Sequence, residues 1–102
     1  MNHLNFLFIV KSRDFDPAVH HTCMESNFNK TIVYGVSTIE QACEVARREV
    51  QNGVQLIDLC GAFGEAGMQA VVDAIDCDVP VGYVVYSDSE MQKHDLLFPP
   101  KQ

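Results

Sequence analysis

The chain contains no tryptophan and few cations: 7 Lys and Arg stand against 14 Asp and Glu, for a formal charge of −7. The cations Lys11, Arg13, Lys30, Arg47, Arg48, Lys93 and Lys101 are dispersed, so there is no basic stripe to neutralise a phosphate backbone or an anionic bilayer. Neither nucleic acid nor a membrane is an expected partner. No segment approaches the ~20 consecutive apolar residues of a transmembrane helix. The apolar run from Leu4 to Val10 also lacks the basic flank and small-residue cleavage site of an export signal, which makes a cytoplasmic location the expectation. CxxC pairs are missing as well, and Cys23, Cys43, Cys60 and Cys77 read as reduced thiols in that compartment. His20-His21-Thr22-Cys23 brings three potential ligands together, but adjacent histidines diverge on any regular backbone and no second cluster completes a tetrahedral set. No metal is expected.

What is present is the composition of a globular domain. The 102 residues are 47% hydrophobic, enough for one core and too few for two. A single α/β domain over residues 1–98 followed by a tail at 99–102 is the expected organisation.

Strand and helix patterns alternate along it. Leu4 to Val10 is a continuous apolar run, the mark of a strand covered on both faces. Asp16-Pro17 is a helix start, predicting a short helix from Pro17 to Glu25. Thr31 to Val36 is β-branched and aromatic, hence a second strand. Ser37-Thr38-Ile39-Glu40 has the form of a capping box. The helix it opens carries Ile39, Ala42, Cys43, Ala46 and Val50 on one face, with Gly53 placed for a left-handed stop. Val54 to Cys60 reads as a third strand, and Met68, Val71, Val72 and Ile75 mark the inner face of the next helix. Val79 to Tyr86 reads as the fourth strand. Ser87 to Phe98 predicts a terminal helix with Met91 and Leu97 inward. The fold expected is a small four-stranded, mostly parallel sheet with flanking helices, flavodoxin-like or half-barrel-like, with the direction of the first strand open. Its free edges and faces point to a homo-oligomer.

In such sheets ligands bind beyond the carboxyl ends of the strands. Candidate ligand-binding residues there are Lys11, Ser12, Asp58, Cys60, Gly61, Phe63, Gly64 and Glu65. Gly61, Gly64 and Gly67 form a turn whose main chain can approach a ligand closely, but GxxGxxG is neither the dinucleotide fingerprint nor a phosphate loop, so no cofactor is assigned. Glu65 sets a carboxylate where a phosphate would otherwise meet the helix dipole. Phe63 would wall the pocket. Lys11 and Arg13 could meet an anion, with pairing to Asp14 and Asp16 the expected state. Strand alternation puts Asp58 beside Val54 and Leu56, where a charge needs a partner, whether structural or ligand. Cys60 ends the same strand near a helix start; a nucleophilic role would need a base from among His3, His20, His21 and His94.

The segments Lys11-Ser12-Arg13-Asp14-Phe15-Asp16-Pro17, Gly35-Val36-Ser37 with Glu40-Gln41-Ala42-Cys43, and above all Gly53 to Glu65 resemble a family of small uncharacterised bacterial proteins, a domain of unknown function. The resemblance extends through Val79-Pro80-Val81-Gly82-Tyr83. It implies a compact α/β unit and lends no catalytic residue. Two functions stay open: a small-molecule-binding or enzymatic domain with its site around the Gly61–Gly67 turn, and a non-catalytic oligomeric interaction or regulatory module.

Overall fold

The computed structural model of the chain describes residues 3–100; part of the tail expected at 99–102 lies outside the described residues. Among these residues the protein is α/β, with a five-stranded mixed sheet and three α-helices. Strands β1 (Leu4–Lys11), β2 (His21–Glu25), β3 (Asn29–Val36), β4 (Leu56–Leu59) and β5 (Val81–Tyr83) lie in the order β2-β3-β1-β4-β5. The helices are α1 (Ile39–Gln51), α2 (Gly64–Ile75) and α3 (Asp88–Leu97).

β1 sits at the centre and pairs in parallel with both β3 and β4, which resolves its direction. β4 pairs in parallel with β5, whereas β2 runs antiparallel to β3 along the edge. The fifth strand corrects the short helix expected over 17–25. The helix start at Asp16 does form: its carboxylate accepts from the N–H of Ala18 at 2.9 Å, and its carbonyl accepts from Val19 and His20. One turn later the chain extends, because a tight turn at Ser26, whose N–H donates to Asn29 O at 2.8 Å, returns it as a hairpin against β3. A second correction concerns β5, which has three residues where Val79 to Tyr86 suggested eight. It can pair only with β4, and that four-residue strand turns away after Leu59.

Both crossover helices cover the same face of the sheet. Leu7 and Ile9 of β1, Val36 of β3 and Ile57 and Leu59 of β4 point to it and form a core with Ala42, Val45 and Ala46 of α1 and Val71 of α2. The alternate residues Phe6, Phe8, Val10, Val33 and Leu56 point to the opposite face and stay half-buried.

The cap of α1 is shifted one residue from the expected box. Thr38 is the N-cap, accepting from Gln41 N at 3.1 Å, while the Gln41 side chain accepts from the Ser37 main chain at 2.8 Å. Gln at the third helical position thus takes the part expected of Glu40, which is left exposed near the positive end of the helix. The buried stripe of α1 is centred on Ala42, Val45, Ala46 and Glu49, so Ile39, Cys43 and Val50 flank it. Glu49 is tolerated inside because the Tyr34 hydroxyl donates to Oε2 at 3.1 Å and Arg48, stacked over the Tyr34 ring, approaches at 3.8 Å. Gly53 stops the helix at φ 102° as its residue type requires.

Cys43 fits its expected role as a small packed side chain. Its Sγ faces the Ala70 carbonyl at 3.6 Å, and burial pushes the thiol up from its ordinary value, aided by Glu40 and opposed by Arg47. The thiolate is the nucleophile, so Cys43 should be the slowest of the four to be alkylated near pH 8, well behind exposed Cys23 and Cys77. A time course of iodoacetamide labelling read by peptide mass spectrometry checks this; early modification of Cys43 would show that α1 and α2 do not pack as described.

Candidate functional site

A cavity of about 510 Å³ opens at the carboxyl ends of β4 and β5, between the turn after β4 and the inner side of α3. Its walls are mainly apolar, and its volume lies within the range of small-molecule sites.

The first wall is the chain leaving β4. Cys60 is tied to the central strand twice: its N–H donates to Ile9 O at 3.0 Å, and its Sγ accepts from the Lys11 N–H at 3.2 Å. Gly61–Phe63 then forms a single 3-10 turn running into α2. A Cβ at Gly61 would stand 3.3 Å from the Val84 carbonyl, a tight contact that Val84 would have to ease by a few tenths of an ångström. Gly64 joins the turn to the helix at φ 63°, ψ −177°, a conformation that costs other residues strain. The leading N–H groups of such a turn have no acceptor within the helix, so Gly61 and Ala62 bring donors to an otherwise apolar wall.

The second wall is built by α3. Val84 N–H still donates to Leu59 O at 3.0 Å; the chain then leaves the sheet through Val85 and Tyr86, and Ser87 caps the helix by accepting from Glu90 N. Helical spacing brings Met91, His94 and Phe98 onto the cavity side. Tyr86, His94 and Phe98 form a row of rings, with centroids 5.3 Å and 5.2 Å apart. His94 Nδ1 lies 3.4 Å from the Asp95 carboxylate. The arrangement can stack a flat or apolar molecule against three rings and present a thiol and main-chain donors opposite.

Of the eight candidates from the sequence, Cys60 and Gly61 line this cavity. Lys11 contributes only its main-chain N–H to Cys60, and Ser12 is an exposed residue whose N–H continues the ladder to Val36 O. Phe63 does not wall the pocket: the 3-10 turn swings its ring into the core beside Gly67, leaving it 6% exposed. Gly64 shapes the turn from behind, and Glu65 is exposed in the first turn of α2. Asp58 lies on the uncovered face of the sheet, its Oδ1 over Gly82 of β5, and so looks away from the cavity. Ion pairing of Lys11 or Arg13 with Asp14 or Asp16 is not found among the described residues. Ser12 reaches Asp14 and the main chain of Ala18 takes Asp16 instead. Val84, Tyr86, Met91, His94 and Phe98 are the residues the sequence reading missed as a group. Leu97, expected inward, is 76% exposed because Met91, His94 and Phe98 take the inner side.

Each ring of the His20-His21 pair is held by a nearby main-chain group, His20 Nδ1 accepting from Asp16 N and His21 Nδ1 donating to Pro17 O, both at 2.9 Å. Both line a smaller hollow of about 220 Å³ over Val10, Val33 and Gly35, on the uncovered sheet face. No helix among the described residues is long and apolar enough to cross a membrane.

No curated protein and no solved structure matches the chain. A family model described as a family of unknown function matches residues 4–98, nearly the whole length, and the chain therefore belongs to the DUF6506 family.

Proposed function

We propose that the protein binds a small, largely apolar or aromatic molecule in the cavity between the Cys60–Ala62 turn and α3. The observation that carries this reading is the pairing of three neighbouring rings, tilted by 57° and 41° to one another, on one wall with a thiol and a glycine-thinned turn on the other, at the sheet end where α/β proteins hold ligands. Cys60 and His94 share the cavity, which places a nucleophile and a base on facing walls; binding is the function proposed, and a reaction would be built on those two groups. The four unpaired cysteines suit a reducing, cytoplasmic setting.

Screening aromatic fragments by protein-observed NMR tests the reading. Bound fragments should move the amide signals of residues 60–62 and 86–98 together, and His94→Ala should weaken them by about tenfold, the loss of one stacking partner at about 1.4 kcal/mol. Fragment-induced shifts confined to other parts of the sheet would overturn it. The interaction-module reading has its own support in the uncovered sheet face.

A further inference from the structure

Among the described residues α3 has no polar tie to the rest of the domain. Every hydrogen bond and ion pair it makes joins two residues within 87–98. It buries none of its residues either. The side it turns to the domain is the one that lines the cavity, with Met91, His94 and Phe98. Its link to β5 is equally loose. Val84 N–H makes the last bond to the sheet, at 3.0 Å to Leu59 O, and the exposed Val85 and Tyr86 beyond it carry no hydrogen bond among the described residues.

Successive residues of a helix are turned by about 100°, so Met91, His94 and Leu97 follow one another around α3 in steps of about 60°. Leu97 therefore continues the lining stripe past His94, yet it is 76% exposed. We propose that α3 is a lid that rolls inward about Val85 when the cavity holds an aromatic molecule, carrying Leu97 onto that molecule. The inference rests on the ligand reading and names how that site closes.

The free protein has little reason to close. Over an empty cavity the inner side chains of α3 would give up water for few atoms to touch. A flat molecule lying between the two walls supplies those atoms. It then interacts more with the closed arrangement than with the open one, which is what shifts a population toward closure. The helix is built to move as one body, with Ser87 accepting from Glu90 N at one end and the Lys93 ammonium 2.9 Å from the Glu90 carboxylate along its side. Val85, an extended and exposed position outside any element, absorbs the rotation.

Hydrogen exchange read by mass spectrometry tests the free state first. The amides of residues 91–97 should exchange at least about 100-fold faster than those of α1, because a ten-residue helix that buries nothing is marginal in water. Indole, as a flat aromatic probe, should slow them several-fold when it occupies the cavity. Leu97→Ser should weaken indole binding, followed by the amide shifts at residues 60–62, by about fivefold, a part of the burial energy of one leucine. Leu96→Ser, on the far side of the helix, should leave that binding unchanged. Both side chains are exposed, so both variants should fold. Slow exchange of α3 in the free protein overturns the lid. So does indole that moves the 60–62 amides without slowing α3, or without a loss specific to Leu97→Ser, and the ligand reading then stands alone. Aromatic probes, indole included, that move no amide at 60–62 end the ligand reading and the lid with it.

Discussion

Ile9→Ala is expected to lower the melting temperature by about 15 °C or more, and to do so without touching the cavity. Ile9 is fully buried on the central strand, between Tyr34 of β3 and Leu59 of β4, at the point where α1 and α2 close over the sheet. Removing three carbons there forfeits transfer energy and leaves a void that stiff β-neighbours cannot fill, a loss of about 3 to 4 kcal/mol. For a domain of this size each kcal/mol shifts the midpoint by about 4–8 °C, and the whole stability is only about 5–15 kcal/mol. Calorimetry decides. A drop of only a few degrees would mean that the centre of the sheet is not the centre of the core.

Gly35→Val is expected to cost about 2 kcal/mol and to release the 12–20 loop. A Cβ at Gly35 would lie 2.7 Å from Cγ of Phe15, so the ring must leave its seat on the sheet. His20, stacked on Phe15 at 5.2 Å, loses its support as well. Limited proteolysis should then cut between residues 12 and 20 in the variant and spare that loop in the wild type, while chemical denaturation reads the lost stability. An unchanged cleavage pattern would show that Phe15 does not anchor the loop.

Gly35 also shows where the sequence stops being informative. Its neighbours Tyr34 and Val36 announce a strand by composition, but nothing local says that a phenylalanine twenty residues earlier needs the missing side chain. The alternation of apolar runs with helical stripes was enough to read the parallel strands and both crossover helices, though not the antiparallel edge strand, because each pattern follows from local geometry. Residues 17–25 misled for the opposite reason. The Asp16-Pro17 signal is genuine and is satisfied by one turn, after which pairing with β3 outweighs helix propensity. The cap of α1 slipped by one because Ser37 and Thr38 are both competent, and Gln41 can satisfy Ser37 from the helix.

The site was legible only in its first half. Cys60 and Gly61 stand at a strand end, where position alone recommends them. The second wall depends on how the chain after β5 turns back, a tertiary event that brings Tyr86, Met91, His94 and Phe98 to the cavity. The 3-and-4 spacing of Met91, His94 and Phe98 was present in the sequence, yet exposed Leu96 and Leu97 compete for the same inward role by hydrophobicity. Asp58 was expected beside Val54 and Leu56 where a charge needs a partner, and it does share the face of Leu56. That face is the uncovered one, so its carboxylate lies between Phe8 of the central strand and Gly82 of β5 rather than in the cavity.

The ligand site is tested most directly by a crystal structure of the protein soaked with aromatic fragments. The cavity account predicts a fragment stacked along Tyr86, His94 and Phe98, with its polar end toward Cys60, Gly61 and Ala62. Fragments found only in the hollow over Val10 and Gly35, with the cavity beside α3 left empty, would contradict it.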